Sequence, residues 1–489
     1  MKTTPGSGRR LAAGTLTVLT AEALALPVAL LLSAYVTRRL GPGTYGLYAI
    51  AGSMVAWVEW TAAAVISRAI IRETARHPGD DGVGTAAVQV NLLVGLAGTA
   101  ALWLAAPALA LLTGEPRLTH PLRLFALDVP LFTLAMAHRM LLVGTGAFSA
   151  RAVLPVVRWV GRLALVTALV ASGWSLDGVI VGCLAASALE LTAARVAIHP
   201  PLVRGGRAYR SSLLADAAPF VLLSVMLRLF DRIDLLLFKI FGGSTADAGL
   251  YGAAQSLAAS LSVVSVAFPP LLLATLTSLY ASGDREHAAA MAARALRVVS
   301  WLLPLAGLVG GGGTALAGWL FGAAFAAAGP LLAPLVATAV AQVIMAVVIM
   351  VLTAAGRPNA LVPTAIVMVL ATVAAGAIVI PRYGAMGAAL TTAAAGVSAS
   401  AVALWMTRRL AAVALPLASL GRSGAAALVS AIACRGALGL MPVPAALACG
   451  GVCGLLSLAA LGEFGATDLQ ALKRVFAMPG TPAGIQDAR

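Results

Sequence analysis

Charge is scarce in this chain. Only 10% of its 489 residues are Asp, Glu, Lys or Arg, against roughly 25% in ordinary soluble domains, so a fold surrounded by water is excluded. Hydrophilic sequence is equally short. The largest such stretches, 199–212, 282–297 and 462–489, are too small for a soluble domain. Cysteine is limited to four residues, with Cys449 and Cys453 at i,i+4 and Cys183 and Cys434 isolated. That spacing makes no metal-ligand pattern and reads as packing. Paired catalytic carboxylates, a nucleophile elbow and a phosphate loop are all missing. The Gly310-Gly311-Gly312-Gly313 run falls inside an apolar span, where glycine allows close packing or a kink. These absences point away from an enzyme, and no cofactor is implied.

What is present is hydrocarbon, with apolar residues making up 61% of the chain. Stretches long enough to cross a bilayer fall at 13–36, 44–67, 84–113, 121–146, 152–173, 176–198, 212–241, 248–279, 297–321, 330–355, 360–381, 385–407, 422–440 and 442–462. The fold class is therefore all-α, a polytopic membrane protein of about fourteen transmembrane helices. The first span is too long for a signal-peptide core and reads as a retained helix.

The formal charge of +15 sits in short loops between apolar runs. It reads as a topology signal and as contact with anionic lipid headgroups. Sequence offers no nucleic-acid module. Arg68, Arg72 and Arg76, then Arg151, then Arg204, Arg207 and Arg210, then Arg285, Arg294 and Arg297 all follow even-numbered spans. Arg357, Arg408, Arg409, Arg422, Lys473 and Arg474 continue on that side, whereas Arg38, Arg39, Arg117, Arg123 and Arg382 lie opposite. The bias predicts both termini in the cytoplasm. Residues 468–476 repeat Leu469, Leu472, Val475 and Phe476 at helical spacing and read as an amphipathic helix on the inner membrane surface.

The chain also repeats itself. Gly46-Leu47-Tyr48-Ala49-Ile50-Ala51-Gly52-Ser53 returns as Gly249-Leu250-Tyr251-Gly252-Ala253-Ala254-Gln255-Ser256, each after a span ending in a basic, glycine-bearing turn. Duplicated bundles that rock about a central site are a common solution to alternating access. The repeat predicts parallel halves with Tyr48 and Tyr251 at equivalent positions.

Arg39-Leu40-Gly41-Pro42 before Tyr45-Gly46-Leu47-Tyr48, Asp231-Arg232-Ile233-Asp234 before Gly249-Leu250-Tyr251, Pro269-Pro270, the turn Arg382-Tyr383-Gly384-Ala385-Met386-Gly387, and Ala466-Thr467-Asp468-Leu469-Gln470 occur in that order. Together they resemble the O-antigen and capsule-type polysaccharide flippases of the multidrug/oligosaccharidyl-lipid/polysaccharide exporter superfamily. The resemblance implies two pseudo-symmetric six-helix lobes around a hydrophilic cavity, 1–200 and 201–410, with two appended helices in 411–462 and a cytoplasmic tail over 463–489. It implies a lipid-linked oligosaccharide as cargo, with membrane lipids, H⁺ or Na⁺ and polysaccharide-assembly proteins as partners. It also implies the cytoplasmic membrane as location. The first span departs from lipid II flippases, being apolar apart from Glu22 where they carry arginines.

Charges inside spans mark the candidate site, because each costs roughly 2.5–3.5 kcal/mol on insertion scales. The seventh span carries Arg228, Asp231, Arg232, Asp234 and Lys239, with the three basic residues in a sector of about 40° and the aspartates beside it. Such a stripe suits a pyrophosphate or acidic sugar. It equally suits an internal Arg228–Asp231 pair. In the fifth span Arg151, Arg158 and Arg162 share one face, and Arg158 and Arg162 are candidates for lining the cavity. Glu22, Glu59 and Asp231 are candidates for ion coupling, and pairing with Arg139 or Arg158 is the alternative for buried carboxyls, which include Asp128 and Glu190. Gln255 is a candidate for sugar hydroxyls, with interhelical hydrogen bonding as its other reading.

A flippase for polyprenyl-pyrophosphate-linked glycan is the leading expectation, and a drug or metabolite antiporter of the same superfamily is the alternative. Aromatic residues at only 6% and the charged seventh span favour the sugar. A membrane glycosyltransferase or polymerase would need a sizeable loop outside the membrane, which the sequence lacks.

Overall fold

The computed structural model describes residues 7–77, 79–201, 207–262 and 269–464, all helix, turn and connection. Glu22 lies in helix, but its side chain is outside the described set, and so is the whole 468–476 segment. The helices are α1 (Ser7–Arg76), α2 (Asp81–Leu112), α3 (Thr119–Ala126), α4 (Asp128–Gly144), α5 (Phe148–Ala171), α6 (Ser175–Ala197), α7 (Arg207–Ile240) and α8 (Thr245–Ala258). They continue as α9 (Pro269–Ala281), α10 (Arg285–Ser300), α11 (Leu303–Phe321), α12 (Gly329–Ala354), α13 (Val362–Ala411), α14 (Leu417–Ala437) and α15 (Val443–Ala460). Among the described residues, nine stretches are long and apolar enough to cross a membrane. The 50-residue α13 is two rods broken at Gly384, and the 70-residue α1 is two rods broken at Gly41, at φ 71° and ψ 171°. That dihedral pair is essentially open to glycine alone. The two rods of α1 and the helix α7 are long helices beyond those nine. The protein is a multi-pass membrane protein.

Two compact units form. The first holds residues up to 296 together with 313–415, and the second holds 297–312 together with the chain from 416 onward. Within the first, small residues set the packing, as expected where lipid removes the hydrophobic incentive between helices. The second rod of α1 crosses α8 so closely that a Cβ on Gly46 would enter the Thr245 carbonyl oxygen, and a Cβ on Gly249 would enter that of Pro42. A Cβ on Gly252 would likewise press on the Ala49 methyl, at 2.5 Å. The register that aligns Gly46 with Gly249 also aligns Pro42 with Thr245 and Ala49 with Gly252. Each residue thus meets the repeat partner of what its counterpart meets, the self-complementary pattern of a two-fold contact. The duplicated motif is the crossing point of α1 and α8. Its tyrosines find different neighbours. Tyr48 stacks on Phe125 at 6.0 Å, while Tyr251 is fully buried and stacks on Phe238 at 6.4 Å.

Polar contacts tie α7 and α8 to the first helices at both ends of the first unit. Near the Gly41 turn, Thr245 donates its hydroxyl to Glu115 and accepts from Lys239 Nζ at 2.9 Å. The Arg117 guanidinium, 2.9 Å from Glu115, holds that carboxyl below the usual carboxylate range. At the opposite end, Tyr209 donates to Asp80 at 2.5 Å, Arg210 Nε to Gln89 at 2.9 Å and Ser212 to Glu73 at 3.2 Å. The start of α7 is thereby fastened to α1, α2 and their connection.

In the second unit α14 and α15 pair through Ser430, which donates to the Gly450 carbonyl at 2.9 Å. Gly311 of the glycine run lets α11 meet the Ala431 carbonyl, the close packing expected of it. Glu463 is fully buried. It accepts from Arg297 Nε at 3.1 Å, Arg422 at 3.2 Å and Trp301 Nε1 at 3.3 Å. Burial alone would push its carboxyl up, but these donors outweigh burial and hold it down.

Two outcomes follow from this packing. Gly46→Ala and Gly249→Ala should each lower the detergent melting temperature, since overpacking costs about 1–3 kcal/mol, whereas Gly43→Ala, with open space around it, should not. A carboxyl depressed on folding stabilises above its unfolded pKa of about 4.3 and loses that contribution as pH falls through the folded value. Glu463→Gln should therefore flatten the acid limb of a melting-temperature profile while leaving the neutral limb lower than in the parent protein.

Candidate functional site

The charged residues inside the spans segregate into three groups within the first unit. One lies among α1, α4, α5 and α6. Arg139 pairs with Glu190, Arg158 lies 3.5 Å from Asp128 and 3.7 Å from Glu190, and Arg162 lies 3.6 Å from Asp128. Both carboxylates are essentially without exposure. The Glu59 carboxyl, also buried, adjoins that of Asp128. Helical spacing explains the convergence: Arg158 and Arg162 occupy one face of α5, and that face is turned to α4 and α6. The group holds three guanidiniums and three carboxyls, so it can be neutral internally. His138 beside it is buried, its Nδ1 2.8 Å from the Leu134 carbonyl.

The second group is in the last part of α7 and in α8. Asp234, 3% exposed, accepts from Tyr251 Oη at 2.6 Å, from Gln255 Nε2 at 3.2 Å and from the Leu235 amide at 2.8 Å. Asp234 and Gln255 are thus brought to each other. The buried Tyr251 of the duplicated motif is the third member, which the sequence marked for its repetition rather than for a polar role.

The third group is different in exposure. Arg228 reaches Asp231 at 3.3 Å, with side chains 42% and 33% exposed, and Gln342 Nε2 donates to Asp231 Oδ1 at 2.8 Å. Arg232 is half-buried and has neither an ion pair nor a side-chain hydrogen bond among the described residues. Lys239, by contrast, is buried at the Glu115–Thr245 contact and stands apart from the two arginines with which it shares a helical sector.

Aromatic rings join the first group to the third. The Arg228 guanidinium lies 5.5 Å from the Trp60 ring centre, Trp60 meets Phe132 edge to face at 5.2 Å, and Arg158 lies 4.7 Å from the Phe132 ring centre. Sequence reasoning missed both rings. The only signal was the Trp57-Val58-Glu59-Trp60 segment, in which the acidic residue drew the attention. No group of three or more metal-ligating side chains occurs among the described residues.

A family model described as polysaccharide biosynthesis protein matches residues 11–277, more than half of the chain. The chain belongs to that family. Its fold recurs in solved structures. A lipid II flippase, MurJ, in an inward closed conformation matches with a TM-score of 0.75 at 13% identity, over 94% of this chain and 99% of that one. An inward-facing multidrug resistance MATE transporter of the MOP superfamily gives 0.66 at 14% identity, over 81% and 98%. A MOP superfamily transporter from Pyrococcus furiosus Vc1 gives 0.53 at 16%, over 84% and 99%. At such identities the likeness is one of fold. None of the curated proteins matches the sequence. The resemblance carried by the ordered Gly, Pro and Tyr motifs is borne out at the level of this polysaccharide biosynthesis family.

The neutral group among α4, α5 and α6 should behave as a structural unit. Removing one member of a buried ion pair leaves an uncompensated charge and costs about 3–5 kcal/mol, while replacing both by apolar residues is often near neutral. Arg139→Met and Glu190→Met should each depress the melting temperature sharply, and the double variant should recover most of the loss.

Proposed function

We propose that the chain is a flippase moving a polyprenyl-pyrophosphate-linked oligosaccharide across the cytoplasmic membrane by alternating access, for polysaccharide biosynthesis. The observation that supports this most directly is the contrast between groups. The α4–α5–α6 charges are buried and matched, but Arg228, Asp231 and Arg232 remain partly exposed inside a span. Partly exposed charges at that depth need water or a polar cargo, since hydrocarbon does not solvate them. An arginine pair half-matched by one carboxylate suits a dianionic headgroup, which guanidinium binds through parallel hydrogen bonds.

In this reading the glycan and pyrophosphate pass between the repeats while the lipid tail stays in the bilayer. The glycine crossing of α1 and α8 acts as the pivot, and the polar contacts at either end open in turn. Both termini are cytoplasmic, following the loop charge bias. Polysaccharide-assembly proteins are the partners on the membrane. A drug or metabolite antiporter is the second reading. The adjoining Glu59 and Asp128 carboxyls favour it, because paired buried carboxyls can hold and release a proton. Glu59 and Asp231 are the described candidates for coupling to H⁺ or Na⁺.

The test is translocation in proteoliposomes. Wild-type protein should move a short-chain polyprenyl-pyrophosphate glycan, the Arg228→Ala, Arg232→Ala double variant should be inactive at matched insertion, and Arg232→Lys should recover only part of the rate because the planar fork is lost. Full activity in the double variant places the cargo elsewhere. A wild type that moves no glycolipid but extrudes a cationic dye against a proton gradient supports the antiporter.

A further inference from the structure

We infer that Trp60 is a sugar platform which, with Arg228 and Asp231 beside it, receives the first sugar of the lipid-linked glycan. The inference rests on the flippase reading and names a subsite within it. Membrane tryptophans ordinarily stand at the interfaces, as Trp174, Trp319 and Trp405 do near the ends of α6, α11 and α13. Trp60 does not. It sits midway along the α1 rod between Gly41 and Arg76. There it keeps 39% exposure, beside Arg228, which is itself partly exposed and paired with Asp231. A ring beside open charges in mid-span borders the same polar space as those charges.

The chemistry of the neighbours matches a glycosyl diphosphate. The indole is the largest and most electron-rich aromatic face among the side chains, and a pyranose presents a face of polarised C–H bonds to such a ring. Its hydroxyls need donors and acceptors, which Asp231 and the Gln342 amide supply from 2.8 Å apart. In a lipid-linked glycan the first sugar is joined to phosphate through a single oxygen, so ring and cation have to be neighbours. The Arg228 guanidinium lies 5.5 Å from the Trp60 ring centre, and Phe132 meets the indole edge to face at 5.2 Å. Arg228 is shared between the ring and Asp231, and arriving phosphate oxygens can draw it off the indole as the sugar takes its place.

The experiment compares two probes in proteoliposomes: a short-chain polyprenyl diphosphate bearing one N-acetylglucosamine, and the same lipid diphosphate without sugar. Trp60→Leu should slow the sugar-bearing probe by about tenfold, the scale of one well-placed aromatic contact, and leave the sugar-free probe within about twofold. Trp60→Phe, which keeps a ring, should retain most of the rate, and Trp405→Leu should change neither probe. Trp60→Met, unbranched and better able to fill an irregular gap, replaces Trp60→Leu where the latter does not fold. An equal fall for both probes makes Trp60 a support for Arg228 and overturns the inference, as does no fall for either. A wild type that moves neither probe overturns the flippase reading and this subsite with it. A wild type that moves both, with the ratio unchanged by Trp60→Leu, overturns the subsite alone.

Discussion

An ionised side chain in hydrocarbon has to be matched by a partner or by water, and the interior of this protein is arranged around that requirement. Arg139, Arg158 and Arg162 are met by Asp128 and Glu190 from neighbouring helices, which fastens α4, α5 and α6 into one block. The matching is between helices rather than along one helix, so it specifies which faces meet. Apolar packing in a membrane gives little such direction, because lipid tails compete with every side chain on equal terms. The polar set therefore serves as the address label of the bundle, and the small residues of α1 and α8 supply the close contact.

The same requirement separates structure from site. Where charges are fully matched, little is left to attract a ligand. Where Arg228 is paired with a partly exposed Asp231 and Arg232 has no ion pair among the described residues, the positive charge left over is what, in the proposed function, meets an anionic cargo. The aromatic pair Trp60 and Phe132 lies between the two regimes, with one ring buried and the other half open. In the proposed cycle, movement of α7 against α1 would separate Arg228 from Trp60 while leaving Arg158 on Phe132.

Much of the fold was legible in the sequence, for physical reasons that differ by element. Run length marked the apolar helices, and the breaks at Gly41 and Gly384 coincide with expected turns because a positive φ favours glycine. The duplicated Gly-Leu-Tyr segment announced a repeat but not its use. Gly46 and Gly249 meeting across a two-fold contact is a tertiary fact that periodicity cannot express. The i,i+3 Arg228–Asp231 pair was readable because it is local, whereas Asp128 with Arg158 and Arg162, or Asp234 with Tyr251 and Gln255, joins residues from different helices whose rotation is set by packing. Lys239 shows the limit of a helical wheel. It shares a sector with Arg228 and Arg232, yet stands two to three turns away at the end of α7 and binds Glu115 and Thr245 instead.

Glycine at the repeat crossing has a mechanical consequence. With no Cβ at Gly46, Gly249 or Gly252, the backbones of α1 and α8 touch directly, and backbone contact has no rotamers to rearrange when the helices rotate against each other. Side-chain interdigitation at the same point would have to be broken and reformed at each half-cycle, because packed interfaces are bistable rather than continuously deformable. In the proposed function, such a crossing would let α1 and α8 pivot on each other without losing their registration. The contacts at the far end, Tyr209 with Asp80 and Ser212 with Glu73, lie on the longer arm from that pivot. In the proposed function, a small rotation at the glycines would become a larger separation there.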